Sequence, residues 1–312
     1  MLFRWIMTPT LREVFRDLYQ PQRIPGASDK TLHGYDVTFN HFERYLGRVA
    51  RLRDLNNRTV AKFQADRLKN CKRGTVKNNI DCLLAIWRWA AKKNLVGEWP
   101  DLVPIHVATP IPRSLTQEEM ARVWQSIQAE TRPVVVSCSP LVEVPGPVYW
   151  SPIYLGTWDA AERQGAMFGI KEGDIDLDEL WINFVAENRK GKRQNNIRPI
   201  MPDTAEAIRT LLSYYTRRSY NTLVFRWALN KGLIWSRWGE IMARAGLPDT
   251  REFKFHCIRK SAGSHSVRIG GNAARLLGHQ NPATTDKFYI DPRVAYDDRA
   301  ELERRFRPGQ VG

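Results

Sequence analysis

The chain has 312 residues, which suits two domains of ordinary size with a sizeable apolar core in at least one. Its formal net charge is +15, and residues 1–110 alone carry nineteen Lys or Arg against ten Asp or Glu. Such a cationic surplus suits a polyanionic partner, and nucleic acid is the partner expected first. Charge for solubility alone is the alternative, which the eleven tryptophans and many arginines make less attractive.

Cysteine spacing and hydropathy exclude several other classes. The four cysteines have no Cys-x-x-Cys spacing, so neither a disulfide framework nor a zinc site is indicated. Unpaired cysteines fit a reducing cytoplasm. No apolar run approaches a membrane span, and the apolar start at residues 1–7 is too short for a signal peptide. We therefore expect a cytoplasmic protein with no membrane partner.

The first hundred residues predict a small bundle of four antiparallel helices. Apolar residues recur there every three or four positions, as on the buried face of an amphipathic helix. Pro21, Pro25 and Gly26 are expected to end the first helix. The first predicted helix covers residues 8–25, and the third covers about 57–69. Ser28 or Asp29 caps the second, whose apolar stripe includes Leu46, and Thr75 caps the fourth.

Cations dominate the polar face of the fourth predicted helix. They are Arg73, Lys77, Arg88, Lys92 and Lys93. A charged face is most often only solvated, whereas in a bundle this basic it can also contact the DNA backbone. Both interpretations stay open from the residues alone.

Residues 98–114 contain four prolines without periodicity, which predicts an extended linker. We therefore expect domains at 1–110, with the linker reaching about residue 114, and at 115–312. Thr116 and Glu119 form a capping box that opens the second domain. Residues 131–152 allow no assignment.

The segment from Pro152 to Ile170 predicts a mostly buried helix that contains Arg163. An unpaired buried charge is costly, so this arginine needs a negative partner. That partner is either an acidic neighbour or a phosphate group that binds there. The acidic neighbours are Glu162, Glu172 and Asp174.

A cationic hairpin is predicted next. Strand-like residues 180–185 and 196–201 flank a turn at 188–195 that contains Lys190, Lys192 and Arg193. Two further helices are predicted, one that Asp203 or Thr204 caps and that runs through Tyr215, and one over about 231–245.

The last predicted elements are two helices separated by a turn. His256 and Arg259 are three residues apart and share a helix face. Gly278 breaks the chain before His279. Asn281 and Pro282 suit the cap and first position of a helix that carries Tyr289. Singly these residues are usually surface or packing groups, but together they predict phosphate-binding donors beside a hydroxyl that could attack.

The order His256-x-x-Arg259, Leu277-Gly278-His279 and then Tyr289 resembles the signature of the tyrosine recombinase (phage integrase) family. That family places its nucleophile nine or ten residues after the second histidine. Phe288 lies at nine and Tyr289 at ten, so only Tyr289 can serve. Arg163, followed by Ile170 and Asp174-Ile175-Asp176, matches the family's first arginine motif. The resemblance is strong over 254–290, good over 158–202 and only general in the first hundred residues.

The resemblance implies a mainly α fold with a small β-hairpin or sheet (α+β). An N-terminal helical bundle, a SAM-like core-binding domain, would close over DNA, and a mostly helical catalytic domain would follow. Arg163, Arg259 and His279 would bind the scissile phosphate, His256 would accept a proton, and Tyr289 would attack. Lys190 is the expected general acid, with Lys192 in reserve. The expected DNA contacts are Arg73, Lys77, Arg88, Lys92, Lys192 and Arg193.

The implied reaction makes a 3′-phosphotyrosyl link and a free 5′-hydroxyl, and it needs neither ATP nor a metal cofactor. A homotetramer on two double-stranded DNA sites would exchange strands through a Holliday junction. Accessory DNA-bending proteins would be further partners, and the DNA-bound protein would be associated with the nucleoid. Residues 291–307 would be the segment exchanged between protomers. Ala166 stands where the family commonly has an acidic residue, so support for the site is expected from elsewhere.

Two alternatives stay open. A type IB topoisomerase shares this chemistry but relaxes supercoils as a monomer. The other is a DNA-binding protein of the same fold that has lost its activity. Two features are compatible with it: Ala166 replaces the family's acidic residue, and the general acid is assigned only to Lys190 or Lys192.

Overall fold

The computed structural model describes residues 9–189, 195–228 and 231–296, and of Lys231 only the backbone. The chain divides into two compact units, Met1–Ala108 and Thr109–Gly312, each with an apolar core of its own. Helices dominate both units, which confirms the predicted mainly α fold. Within the described ranges, no helix is long and apolar enough to cross a membrane.

The first unit is helical. Its α-helices are α1 (Leu11–Val14), α2 (Gln20–Arg23), α3 (Asp29–Leu46), α4 (Asn57–Asn70) and α5 (Arg73–Lys92), with a π-helical turn at Phe15–Tyr19 and a 3₁₀ turn at Leu52–Asp54. The apolar residues predicted at helical spacing line the core, among them Phe39, Phe42, Leu83 and Trp87. Ser28, rather than Asp29, caps α3 by accepting a hydrogen bond from the Thr31 amide.

Two predicted details of the helix ends in this unit differ from the structure. The first helical stretch ends at Arg23, just before Pro25 and Gly26 as predicted, but it does not end at Pro21, because the amide of Gln20 bonds to the Phe15 carbonyl five residues back. This wider turn lets the chain pass through a residue that lacks an N–H and continue to Arg23. Thr75 is not a cap, because α5 already begins at Arg73.

The second unit packs helices around α7, which is apolar on nearly all sides and lies in the core. Its helices are α6 (Gln117–Gln128), α7 (Gly146–Ala160), α8 (Gln164–Met167), α9 (Pro202–Ser213), α10 (Lys231–Arg244), α11 (His256–Arg268), α12 (Ala273–Leu277), α13 (Pro282–Phe288) and α14 (Pro292–Ala295). The predicted capping box of Thr116 and Glu119 opens α6. Helices α6, α9 and α11 all pack against α7.

The described part of this unit also contains two small antiparallel sheets. Strands β1 (Val134–Val136) and β2 (Val142–Val144) form a hairpin in the stretch that the sequence left unassigned. Strands β3 (Ile175–Asp176), β4 (Trp181–Phe184) and β5 (Asn196–Pro199) form the second sheet in that order. Its pairing of β4 with β5 confirms the predicted cationic hairpin. Short 3₁₀ turns lie at Glu172–Asp174, Ala186–Asn188 and Arg251–Phe253.

The single helix predicted over 152–170 is wrong. Helix α7 starts earlier, at Gly146, and ends at Ala160 because Ala161 adopts a left-handed conformation with φ of 49°. Arg163 is then extended and precedes the short helix α8. The apolar run continues across the break, so residue periodicity could not locate it.

The predicted cap of α9 is also wrong. Neither Asp203 nor Thr204 precedes the helix, because Pro202 takes its first position. Asp159 at the end of α7 supplies the acceptor instead, 2.8 Å from the Met201 amide and 2.6 Å from the Thr204 hydroxyl. This contact anchors α9 to the helix that leads into Arg163.

Candidate active site

Four segments of the second unit bring the predicted polar residues together. The extended step between α7 and α8 carries Arg163, and α11 carries His256 and Arg259. Gly278 is left-handed and ends α12, as predicted, so the chain turns and His279 follows. Asn281 and Pro282 start α13 as predicted, and Tyr289 lies at its end.

His279 is the point at which the two arginines meet. Its Nε2 lies 3.3 Å from Nη2 of Arg163 and 3.2 Å from Nη2 of Arg259. Because guanidinium groups only donate hydrogen bonds, Nε2 must accept. The ring proton is then on Nδ1, which donates to the Thr285 hydroxyl at 2.8 Å. His279 is therefore neutral, and burial followed by the charges of Arg259 and Arg163 lowers its pKa to about 4.

Arg259 is a fully buried cation, with 1% of its surface exposed. It donates to the carbonyl oxygens of Ala161 and Leu277, the latter at 2.6 Å. Burial, and then the charge of Arg163, lowers its pKa to about 10. The guanidinium still carries its charge at neutral pH. Two guanidinium groups that meet at one histidine nitrogen are a favourable place for an anion.

Tyr289 packs against these groups and is 8% exposed. Its ring lies edge-on to His256 and to His279, with centroids 5.4 and 4.5 Å apart. The guanidinium carbon of Arg259 lies 5.3 Å from the same ring centroid. The phenol therefore borders both histidines and the buried arginine.

His256 borders Tyr289 as a neutral group. Burial is the largest cause that lowers its pKa to about 4, followed by the charges of Arg259 and Lys260. An uncharged imidazole can accept a proton, which is what a base beside a phenol must do. The site thus combines a hydroxyl, a base and two fixed cations.

Glu162 is the residue that sequence reasoning undervalued. The sequence indicates Glu162 only as an ion-pair partner of Arg163, but in the described ranges no ion pair joins that guanidinium to Glu162, Glu172 or Asp174. The carboxylate of Glu162 accepts from the Arg163 amide at 3.3 Å and contacts other side chains. Glu172 binds Arg218 and Arg226 instead. An acidic residue directly before Arg163 in an otherwise mostly apolar run was the available signal.

Three predicted site residues, Lys190, Lys192 and Arg193, lie outside the described residues. The described neighbours on either side are Arg189 and Asn195. Among the residues that the structure does describe, no group of His, Cys, Asp or Glu could hold a metal ion.

The predicted DNA-contact residues of the first unit are all exposed and share one face of α5. Arg73 donates to the His106 carbonyl at 3.0 Å, and Lys77 pairs with Asp81 at 2.6 Å. Arg88 and Lys92 line a groove that also contains Arg23, Lys93 and Trp99.

Known proteins share both sequence and fold with this chain. Residues 158–295 match the model of the phage integrase family. The tyrosine recombinase XerC of Neisseria meningitidis serogroup B is 24% identical over 243 residues, which is 74% of each chain. XerC of Neisseria gonorrhoeae is 24% identical over 253 residues, which is 77% of this chain and 76% of that one.

Two solved structures extend the likeness in fold to nearly the whole chain. A lambda integrase tetramer bound to a Holliday junction has a TM-score of 0.67 and 16% identity, over 93% of this chain and 80% of that one. The Tn1549 transposon integrase in complex with circular intermediate DNA has a TM-score of 0.66 and 14% identity, over 96% and 100%. The family match at residues 158–295 and these relatives support a DNA recombinase that is similar to tyrosine recombinases and phage integrases.

Proposed function

We propose that this recombinase cleaves and rejoins specific DNA sites through a 3′-phosphotyrosine intermediate. The observation that carries the proposal is the meeting of Arg163 and Arg259 at Nε2 of His279, 3.3 and 3.2 Å away, beside the ring of Tyr289. A phosphodiester under attack develops negative charge on its non-bridging oxygens. Fixed cations that bind that charge lower the barrier.

In the proposed step, the Tyr289 oxygen forms a bond to phosphorus and the bond from phosphorus to the 5′-oxygen breaks. The phenol proton, whose reference pKa is about 10, passes to His256. The departing 5′-oxygen takes a proton from Lys190, with Lys192 as the alternative donor. Attack by a second 5′-hydroxyl reverses the step and rejoins the strand.

This scheme needs no ATP, because the phosphotyrosyl ester retains the energy of the cleaved bond. Guanidinium groups supply the charge stabilisation that divalent cations supply in many other phosphoryl transfers, so we propose no metal cofactor. His279 accepts a hydrogen bond in the DNA-free protein. To donate to the phosphate, it must gain a proton or change tautomer, which the arriving negative charge favours.

We further propose that the unit of action is a homotetramer on two DNA duplexes, with strand exchange through a Holliday junction. The lambda integrase neighbour, which shares the fold, is a tetramer bound to such a junction. Residues 1–110 would form the helical DNA-binding domain, and residues 115–312 the catalytic domain. Of the segment 291–307 proposed for exchange between protomers, residues 297–307 lie outside the described part of the chain.

A nicked suicide substrate tests the proposed nucleophile. Repeats in the DNA that flanks the gene supply candidate sites. The unchanged protein should trap a covalent protein–DNA adduct, and Tyr289→Phe should trap none. Tyr214→Phe, which alters a tyrosine exposed at 37%, should form the adduct normally.

Three outcomes would contradict the proposal. If Tyr289→Phe still forms the adduct, another residue is the nucleophile. If the unchanged protein forms no adduct on any candidate site, it binds DNA without cleaving it. If it relaxes supercoiled plasmid that lacks those sites, it acts as a type IB topoisomerase.

A further inference from the structure

Glu162 is a buried carboxylate of the second unit, with only 1% of its surface exposed. Its Oε1 accepts from Nη2 of Arg189 at 3.0 Å and from Nδ2 of Asn196 at 2.8 Å. Its Oε2 lies 3.3 Å from the Arg163 amide and 3.7 Å from Nη1 of Arg259. A buried carboxylate is stable only when charged or hydrogen-bonding partners compensate the loss of water. These contacts therefore fix the positions of the partner groups.

The two oxygens therefore contact different parts of the unit. Oε1 binds two residues that bracket Lys190 and Lys192 in the sequence, Arg189 before them and Asn196, at the start of β5, after them. Oε2 faces the arginines. The closest side-chain contacts are those of Oε1, and Arg259 has two carbonyl acceptors of its own. Loss of Glu162 should thus release the hairpin more than it releases Arg259.

We propose that Glu162 is a positioning residue, whose carboxylate holds Arg189 and Asn196 of the cationic hairpin beside Arg163 and Arg259. This inference rests on the proposed function, in which a lysine of that hairpin protonates the leaving 5′-oxygen. It holds whether the acid is Lys190 or Lys192, because both lie between the two residues that Glu162 binds. Glu162 also supplies the acidic support that Ala166, itself buried, cannot give.

A leaving group that needs no proton separates this role from a merely structural one. An alkoxide requires a general acid, whereas a thiolate, with a parent thiol pKa of about 8.5, leaves without one. Single-turnover cleavage is measured on one DNA site with either oxygen or sulfur at the bridging 5′ position. The variants are Glu162→Gln and, from the hairpin side, Asn196→Ala. Asn183→Ala on the neighbouring strand β4 is the control.

Glu162→Gln should slow cleavage of the oxygen substrate by about a hundredfold, the lower range for loss of general acid catalysis. If the substitution displaces only the general acid, the variant's cleavage rate on the sulfur substrate should stay within about threefold of that of the unchanged protein. Asn196→Ala should show the same pattern with a smaller loss, and Asn183→Ala should resemble the unchanged protein on both substrates. Thermal unfolding checks that each variant is folded.

Equal losses on the two substrates would overturn the inference, because Glu162 would then act on the arginines or on folding. Unchanged cleavage of the oxygen substrate by folded Glu162→Gln would overturn it as well. Failure of the proposed function looks different: the unchanged protein would then cleave neither substrate.

Discussion

At the scale of single residues, the site depends on histidines that stay neutral among cations. His256 and His279 both have a pKa of about 4, with burial as the main cause and Arg259 as the next. A charged imidazole in either place would lie beside two guanidinium groups. The folded protein therefore binds protons at these two histidines less readily than the unfolded chain does. Its free energy of unfolding must then depend on pH.

We expect the free energy of unfolding to fall as the pH drops from about 6.5 toward about 4. An unfolded histidine titrates near pH 6.5, so in this window the unfolded chain binds a proton that folded His256 does not. Stability from this group is fully present above the unfolded pKa and is lost as the pH falls. At about pH 5.5 the loss from His256 should reach about 1 kcal/mol. The more exposed His279 should contribute less.

Urea unfolding of the unchanged protein and of His256→Gln at several pH values measures this effect. The variant should lose less stability than the unchanged protein between about pH 7.5 and about pH 5.5. His33→Gln, which removes an exposed histidine from α3, is the matched control. An identical pH dependence in His256→Gln would contradict the assignment.

The sequence identified the polar residues of the site better than it identified their supports. His256, Arg259, His279 and Tyr289 follow one another at a recognisable spacing, and a local pattern suffices for that. The carboxylate of Glu162 joins Arg189 and Arg259, which are 70 residues apart in the sequence. No local sequence pattern encodes partners at that separation. The contacts of Glu162 could therefore be identified only from the folded structure.

At the scale of elements, the ends of helices place the functional groups. Left-handed residues end both α7, at Ala161, and α12, at Gly278. The first break was missed because alanine gives no turn signal, whereas the second was predicted because glycine readily adopts φ above zero. A left-handed alanine is strained, and the fully buried surroundings of Ala161 must stabilise it.

Gly278 offers a matched test of this placement. It has φ of 64°, and a Cβ there would lie 3.0 Å from Nη2 of Arg189 and 3.2 Å from Nη2 of Arg198. Gly246 has φ of 73°, and a Cβ there would meet nothing within 4 Å. Both alanine variants should lose about 1 kcal/mol of stability through the backbone alone. Only Gly278→Ala should also displace the two guanidinium groups beside the site.

We therefore expect Gly278→Ala to form the covalent adduct at least about tenfold more slowly than Gly246→Ala, because misplaced catalytic groups lose rate steeply. Chemical denaturation gives the stability of each variant, and trapping on the suicide substrate gives the rate. Equal rates in the two variants would show that the approach of Arg189 and Arg198 to Gly278 has no catalytic consequence.

At the scale of the whole molecule, the net charge of +15 is concentrated toward the first unit. The sequence indicated the helical face that carries these charges, and in the structure Arg73, Lys77, Arg88 and Lys92 are exposed there. The sequence could not show which of these four cations have partners within the protein. Arg73 and Lys77 already have partners within the unit, whereas Arg88 and Lys92 line a groove with other cations. A groove of like charges suits a DNA backbone better than a face of paired ions.

The double substitution Arg88→Gln/Lys92→Gln should weaken binding to duplexes of unrelated sequence to a similar extent, because phosphate contacts carry no sequence information. Each phosphate contact releases counterions, so the slope of log K against log salt should become shallower by about 2. Fluorescence anisotropy over a range of KCl concentrations measures the slope. Arg16→Gln/Lys69→Gln removes the same charge from cations that pair with Asp17 and Asp66, and it should change the slope much less. Equal changes in the two double variants would mean that overall charge, and not this groove, holds the DNA.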